Sequence, residues 1–277
     1  MTVTVNTLDP FGVEFHGVAG RDLVGRAAAD DCRAALDEYG VVIYRELHIA
    51  DDDLVAFTRL LGEPVASRTG EHRLAEIETI TLDPAKTGAV LASYRKGNFH
   101  WHIDGATLEV RQRATLLAAR EVDDTGGDTD FADTFLAYQA LSAEEKAELD
   151  GLRVQHSFTA AQLLANPDPT DAERAAWVRV PTRIHPLVWT RRSGRKSLLI
   201  GATADHIVGR PIEDGRAMLN RLLEWATRPE FTYRHRWRRG DLVVWDNTGM
   251  LHRAVAFEPT SRRLMHRTTV VGVEAVA

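Results

Sequence analysis

A double-stranded β-helix with flanking helices, mainly β within an α+β chain and jelly-roll or cupin-like in outline, is the fold this sequence predicts. Three observations point to it. The chain divides into many short apolar runs bounded by glycine, proline and small polar residues. Long amphipathic helices are few. No regular strand–helix–strand alternation recurs, which argues against a Rossmann arrangement. A jelly roll holds a ligand between its two sheets.

The elements follow in order. Residues 1–20 read as a strand-rich entry carrying Val13, Phe15 and Val18. Over 21–39 Val24, Ala28, Cys32, Leu36 and Tyr39 recur at helical spacing. Gly40 ends that helix, and Val41-Val42-Ile43-Tyr44 is a short buried strand. Asp51, Asp52 and Asp53 suit the positive end of a second helix, with Leu54, Phe57 and Leu61 on one face and Gly62 as its stop. The stretch 65–98, with Gly70, Pro84, Gly88 and Gly97, predicts a loop region near a binding site. Residues 113–119 read as a central strand, and Gly126-Gly127-Asp128-Thr129 as a turn into another. Helices are predicted over 134–141 and 142–149, the second opened by the capping-box pair Ser142 and Glu145. Residues 166–169 are loop, and 187–190 with 197–200 flank a hairpin turn at Ser193-Gly194-Arg195. Met218, Leu222 and Trp225 mark a helix stopped by Pro229, and 231–237, 241–246 and 264–273 read as strands.

Composition sets bounds. The chain has 277 residues and is 44% hydrophobic, enough for one large core, so residues 1–277 are read as a single domain. A net charge of -6 with no long Lys/Arg run gives no reason to expect a nucleic-acid partner. The single Cys32 fits a reducing compartment and reads as a buried small apolar residue. There is no apolar run near the length of a membrane span and no charged-then-apolar leader, so a cytoplasmic protein without a membrane partner is expected.

Chemistry concentrates in Asn98-Phe99-His100-Trp101-His102-Ile103-Asp104-Gly105. On a strand, residues two apart share a face, so the imidazole of His102 and the carboxylate of Asp104 converge. A metal site needs a third ligand, and His252 is the best candidate, in competition with His100, His156, His185, His206, His235 and His266. Two histidines and one carboxylate leave three positions open on Fe(II), enough for a bidentate cosubstrate and O2. Arg263 and Arg267 lie eleven and fifteen residues beyond His252. An arginine in an apolar cavity makes sense opposite a carboxylate, and the distal end of 2-oxoglutarate presents one.

Taken in order, these residues resemble the taurine/2,4-dichlorophenoxyacetate (TauD/TfdA) family of Fe(II)- and 2-oxoglutarate-dependent dioxygenases. The resemblance runs from Gly12-Val13-Glu14-Phe15-His16-Gly17-Val18 through Tyr39 to Arg45 and Leu61-Gly62-Glu63-Pro64. It continues through Trp101-His102-Ile103-Asp104, Gly126-Gly127-Asp128-Thr129, His185-Pro186-Leu187-Val188 and Gly194-Arg195-Lys196. It ends with Trp245-Asp246-Asn247, His252 and Arg263-Leu264-Met265-His266-Arg267.

The resemblance implies roles. His102, Asp104 and His252 match the iron ligands; Thr129 and Arg263 match the pair that holds the distal carboxylate of 2-oxoglutarate. Arg267 matches the arginine facing the substrate's anionic group, with a role on the cosubstrate as the alternative, and Asn98 matches a substrate-contacting asparagine. The implied activity is hydroxylation of a small anionic organic substrate (a carboxylate, sulfonate or sulfate ester) with release of succinate and CO2, in a dimer or tetramer. Asp104 argues against the family's halogenating relatives. Two departures count against taurine itself: the histidine that binds its sulfonate has only the stretch Glu71-His72-Arg73-Leu74 as a counterpart, and Gln162 stands where a substrate-packing phenylalanine is found. The apolar Met250-Leu251 before His252 suggests a larger organic substrate. The competing readings are a non-catalytic jelly roll that binds metal and 2-oxoglutarate, and a zinc hydrolase.

Overall fold

The computed structural model describes residues 3–67, 72–123, 126–258 and 260–276. The chain opens with β1 (Thr4–Thr7) and β2 (Val13–His16), an antiparallel pair. Gly25 is extended at the head of α1 (Arg26–Tyr39), so the helix begins five residues later than expected and Gly20–Leu23 forms a separate 3-10 turn. Gly40 closes α1 and leads into β3 (Val41–Tyr44); α2 (Asp51–Leu61) follows, its first turn carrying the three aspartates.

The stretch expected to be loop contains β4 (Glu78–Ile80), α3 (Pro84–Thr87), α4 (Ala89–Tyr94) and a 3-10 turn Arg95–Phe99; Gly70 and Glu71 lie outside the described residues. These elements are too short to show a period, and β4 exists only through pairing with a strand nearly two hundred residues away. Next come β5 (Ala114–Glu121), β6 (Thr129–Asp133), α5 (Thr134–Gln139) and α6 (Ala143–Leu149), the last with its Ser142–Glu145 capping box formed. Then β7 (Arg153–His156), α7 (Phe158–Ala165), α8 (Asp171–Trp177) and β8 (Arg183–Pro186) appear where no element was expected. The expected hairpin is β9 (Val188–Thr190) with β10 (Lys196–Leu198). The chain closes with β11 (Ala204–Ile207), α9 (Ile212–Ala226), β12 (Thr232–His235), β13 (Leu242–Asp246), β14 (Met250–Ala254) and β15 (Leu264–Val270).

Two sheets face one another. The large one has the order β1-β2-β3-β13-β5-β15-β4, and the small one β12-β6-β14. Period-2 alternation sorts their side chains. Ile43, Leu117, Ala119, Val243, Trp245 and Met265 point inward from the large sheet and pack with Phe131 and Met250 of the small one. The neighbours Val42, Leu116, Ala118 and Val244 point outward, under Cys32 and Leu36 of α1 and Leu54 and Phe57 of α2. On β15 the same alternation sends Met265 and Arg267 inward and His266 outward.

The turn 246–249 carries the chain from one sheet to the other. Thr248 donates to Asp246 Oδ1 through both its amide (2.8 Å) and its hydroxyl (2.6 Å). A Cβ on Gly249 would lie 2.1 Å from the ring of Phe135, so only glycine lets β14 begin there. That turn starts the strand that carries His252. Among the described residues no helix is long and apolar enough to cross a membrane.

Candidate active site

His102 and His252 face each other across an isolated bridge: the His102 amide donates to the His252 carbonyl (3.0 Å) and the His252 amide to the His102 carbonyl (2.9 Å). Their ring centroids are 4.2 Å apart. Asp104 lies in a turn rather than on a strand, so strand alternation does not bring it to His102. Instead the turn that begins at Asp104 sets a carboxylate oxygen 4.0 Å from His102 Nε2 and 3.8 Å from His252 Nε2. One donor atom from each of the three lies within 4.8 Å of the others.

The protonation of these groups suits a cation. Burial, followed by the neighbouring imidazole of His102, pushes His252 down to about 3, and burial also lowers His102. Both rings are neutral at pH 7 and offer lone pairs. His102 Nδ1 donates to the His100 carbonyl (2.8 Å), which leaves Nε2 as the acceptor facing Asp104. Burial raises the Asp104 carboxyl, but Arg267 and the two imidazoles outweigh it and hold it below the usual carboxylate range.

The carboxylate is oriented by residues that the sequence reading did not single out. Thr115 Oγ1 donates to Asp104 Oδ2 (2.8 Å), and Asn247 Nδ2 donates to Thr115 Oγ1 (2.8 Å). The Trp245-Asp246-Asn247 run contained the signal, but only pairing of β13 with β5 sets Asn247 beside Thr115. Thr115→Val is expected to weaken metal binding by roughly 10- to 100-fold, the usual cost of losing a ligand's hydrogen-bond partner. Titration with Mn(II) checks this; wild-type affinity in the variant would leave Thr115 with a packing role only.

A cavity opens beside the triad. Its walls include Leu117, Thr129, Trp245, Phe257 and Arg263 as well as both histidines. Thr129 is on β6 opposite Ala254 of β14, two positions from the Phe131–His252 pair, and so shares the inward face with His252. Its hydroxyl accepts from Trp237 Nε1 (3.0 Å), which leaves the hydroxyl proton for donation. Arg263 is buried at 4% exposure, with Phe257 against the face of its guanidinium at 5.1 Å. Burial lowers it to about 10, still charged at neutral pH, with Asp128 nearby opposing the shift. Its Nε donates to the Gly127 carbonyl (3.0 Å). A Cβ on Gly127, at φ +72, would stand 2.7 Å from Arg263 Cδ. Gly127→Ala is therefore expected to displace Arg263 and weaken 2-oxoglutarate binding about tenfold while leaving Mn(II) binding unchanged. Equal binding of both by wild type and variant would separate Gly127 from the arginine's placement.

A second, larger cavity of about 360 Å3 adjoins the first and shares His102 with it. Leu91, Tyr94, Ile103, Phe158 and Gln162 give it a mainly apolar wall, and Asn98, Arg95 and Arg267 line both cavities. Arg267 donates to Glu78 Oε2 (2.6 Å) and to Asp104 Oδ1 (3.4 Å).

The competing histidines settle elsewhere. His235 lies 3.2 Å from Asp241 and His206 3.0 Å from Asp205. His72 and His266 surround Asp51 at 3.2 and 2.7 Å. There the Arg120 guanidinium donates to Asp51 (2.6 Å) and to His266 Nδ1 (3.1 Å), so a cation already occupies the place an ion would take. His72 lines neither cavity. His156 and His185 pair at 5.6 Å between β7 and β8.

Burial, with Arg111 next in effect, pushes His156 down to about 3 and His185 to about 4. Both folded values lie below the ordinary 6.5, so the unfolded chain binds more protons between those limits. Stability is accordingly expected to fall as pH drops from about 6.5 toward 4, by at most about 1.4 kcal/mol per pH unit for each histidine. Urea melts of the metal-free protein at pH 7 and 5 measure it; identical midpoints would contradict the assignment.

A jelly roll whose facing sheets bring two histidines and a carboxylate to one end of a cavity, and a buried arginine to the other, defines the class of protein. The chain belongs to the family described as taurine catabolism dioxygenase TauD, TfdA, which it matches over residues 4–269. It is 36% identical to the alpha-ketoglutarate-dependent 2,4-dichlorophenoxyacetate dioxygenase of Cupriavidus pinatubonensis, over 98% of either chain. It is 30% identical to the (S)-phenoxypropionate/alpha-ketoglutarate-dioxygenase of Sphingobium herbicidovorans, over 95% of this chain and 92% of that one. The crystal structure of AAD-2 in complex with Mn(II) and N-oxalylglycine superimposes with a TM-score of 0.84 at 30% identity, covering all of both chains. The jelly-roll expectation holds.

Proposed function

We propose that this chain is an Fe(II)- and 2-oxoglutarate-dependent dioxygenase that hydroxylates a small anionic organic molecule with an apolar body, releasing succinate and CO2. Family membership and the named relatives support an alpha-ketoglutarate-dependent dioxygenase. The observation that carries the reading on this chain is the pairing of ends: three converging donors at one end of a cavity, and Thr129 with Arg263 at the other.

The donor set fits Fe(II): two neutral imidazoles and an ionised carboxylate, all partly or fully buried, with one side open to both cavities. His102, Asp104 and His252 are the proposed ligands. Arg263, its Nε committed to Gly127, turns its two terminal nitrogens to the distal carboxylate of 2-oxoglutarate, and the Thr129 hydroxyl donates to the same group. Bound Fe(II), with 2-oxoglutarate and O2, supplies the oxidising power for C–H hydroxylation. The chain supplies position and a dry wall: Trp245, Phe257 and Leu117 exclude water from the cosubstrate, and Asn98 with Arg267 faces the substrate.

The second cavity supports an aryloxyalkanoate class of substrate. Tyr94 and Phe158 meet edge to face at 6.3 Å in its wall, a surface suited to a ring, beside guanidinium groups suited to an anion. The relatives named above act on such molecules. Incubation with Fe(II), 2-oxoglutarate and phenoxyacetates is expected to give succinate in step with hydroxylated product, and none with Zn(II). Activity with Zn(II) alone would support a hydrolase. Binding of 2-oxoglutarate with no turnover of any anion would support a binding protein.

A further inference from the structure

Trp101 and Arg253 are the immediate neighbours of the two histidines. His102 and His252 exchange both backbone hydrogen bonds, so Trp101 and Arg253 are the next pair across the same two segments, in the register where opposed side chains come closest. Period-2 alternation sends the histidines inward and this pair outward. The Arg253 guanidinium lies over the Trp101 indole, 4.6 Å from the ring centroid. Behind it the row continues across the small sheet, because Arg253 faces Asp130 of β6 and Asp130 faces Arg234 of β12. Arg253 Nε donates to Asp130 Oδ2 (3.1 Å), and Arg234 donates to the same carboxylate through Nε (2.6 Å) and Nη2 (3.0 Å). Trp101, Arg253, Asp130 and Arg234 thus form one chain of contacts along the outer face.

His102 needs such a support. β14 is paired along its length with β6, whereas the segment of His102 joins β14 by one isolated bridge. A second anchor is the Ala202 amide, which donates to the Trp101 carbonyl (2.7 Å) at a close approach where a Cβ on Gly201 would lie 2.8 Å from that oxygen. These bonds fix the distance of the segment from its neighbours but resist its twist weakly, and a twist would swing the His102 ring away from His252. A cross-strand side-chain pair on the outer face opposes that twist. The outer side of Phe99, His100 and Trp101 borders a groove of about 710 Å3 that Arg253 also lines, which leaves the segment room to move there. Asp130, its side chain only 8% exposed, pins a guanidinium whose own side chain is 39% exposed.

We propose that Arg253 is a positioning residue for the metal site: pinned by Asp130, it clamps Trp101 from the outside and so holds the His102 imidazole in register with that of His252. This rests on the triad reading above and adds to it a part that touches no ligand atom. Neither Trp101 nor Arg253 lines the two cavities, so the clamp acts on the metal ligand alone and not on cosubstrate or substrate. The contact needs a cation over the ring, which a lysine also supplies and a neutral carboxamide does not.

Calorimetric titration of the metal-free full chain with Mn(II), well below its melting temperature, tests this on folded protein and without turnover. Arg253→Gln is expected to raise the Mn(II) Kd about tenfold, while N-oxalylglycine binding to the Mn(II)-saturated variant changes by less than about threefold. Arg253→Lys recovers part of the lost affinity. Trp101→Leu is expected to raise the Kd about as much as Arg253→Gln, and the double variant no further than either alone, because both remove the same contact. Should Arg253→Gln not fold, Asp130→Asn carries the test: it keeps indole and guanidinium but loosens the pin, with a rise of about threefold expected and wild-type affinity overturning the proposal. The proposal is also overturned if Arg253→Gln melts earlier yet binds Mn(II) as the wild type does, if lysine recovers nothing, or if the effects of Trp101→Leu and Arg253→Gln multiply. Failure of the wild type to bind Mn(II) would defeat the triad reading itself, and this inference with it.

Discussion

Asp104→Ala or His102→Ala is expected to abolish succinate release while the protein remains folded. Losing a hydrogen-bond partner of a metal ligand costs roughly 10- to 100-fold, so losing a ligand itself exceeds about 100-fold. The fold tolerates the change because Asp104 lies in a turn, outside the packed layer between the sheets. In Asp104→Ala, moreover, Arg267 keeps Glu78 as its counter-charge at 2.6 Å. Succinate assay, metal content and circular dichroism together check the prediction. Full turnover in either variant would remove the triad assignment. The two changes differ at the metal: His102→Ala leaves an anionic carboxylate and one imidazole, whereas Asp104→Ala leaves two neutral rings next to the Arg267 cation, the poorer site for Fe(II).

The second large effect is expected at the far end of the cavity. Arg263→Ala removes a buried guanidinium whose proposed partner is a carboxylate. Truncating one side of such a buried charge pair costs on the order of 2–5 kcal/mol, or about 30- to several thousand-fold in Kd. Anaerobic titration of the Fe(II)-loaded protein with 2-oxoglutarate, followed by its visible charge-transfer band, should show the midpoint moving by that amount in the variant. Arg263→Lys is expected to recover little, because a lysine has neither the fork that meets two carboxylate oxygens nor the flat face that lies against Phe257. An unchanged midpoint in Arg263→Ala would assign the distal carboxylate to another cation, and Arg267, which lines the same cavity, is a candidate.

These two expectations divide the site into parts that fail separately. Loss of metal and loss of cosubstrate have different readouts, so the cavity need not be treated as one unit. The orienting pair Thr115 and Asn247 belongs with the first part, and Gly127 with the second.

Much of this was legible in the linear chain, because short-range rules govern it. Helical spacing in α1, α2 and α9, the Ser142–Glu145 capping box, the glycine after α1 and the Ser193-Gly194-Arg195 turn all act within a few residues. The ordered motifs from Trp101 to Arg267 marked the candidate residues for the same reason: each is a local run whose residue types suit one task. Tertiary structure decided what depends on partners far apart in sequence. β4 and β14 are strands because β15 and β6 pair with them. Asp104 meets His102 through a turn, not through strand alternation, and Thr115, Asn247 and Gly127 reach their places only when the sheets assemble. Which of His252 and His266 joins His102 was likewise settled by which face of a sheet each occupies. Alternation is a local property, but which face becomes the inside is fixed by burial of the whole apolar layer, a sum over residues from both sheets.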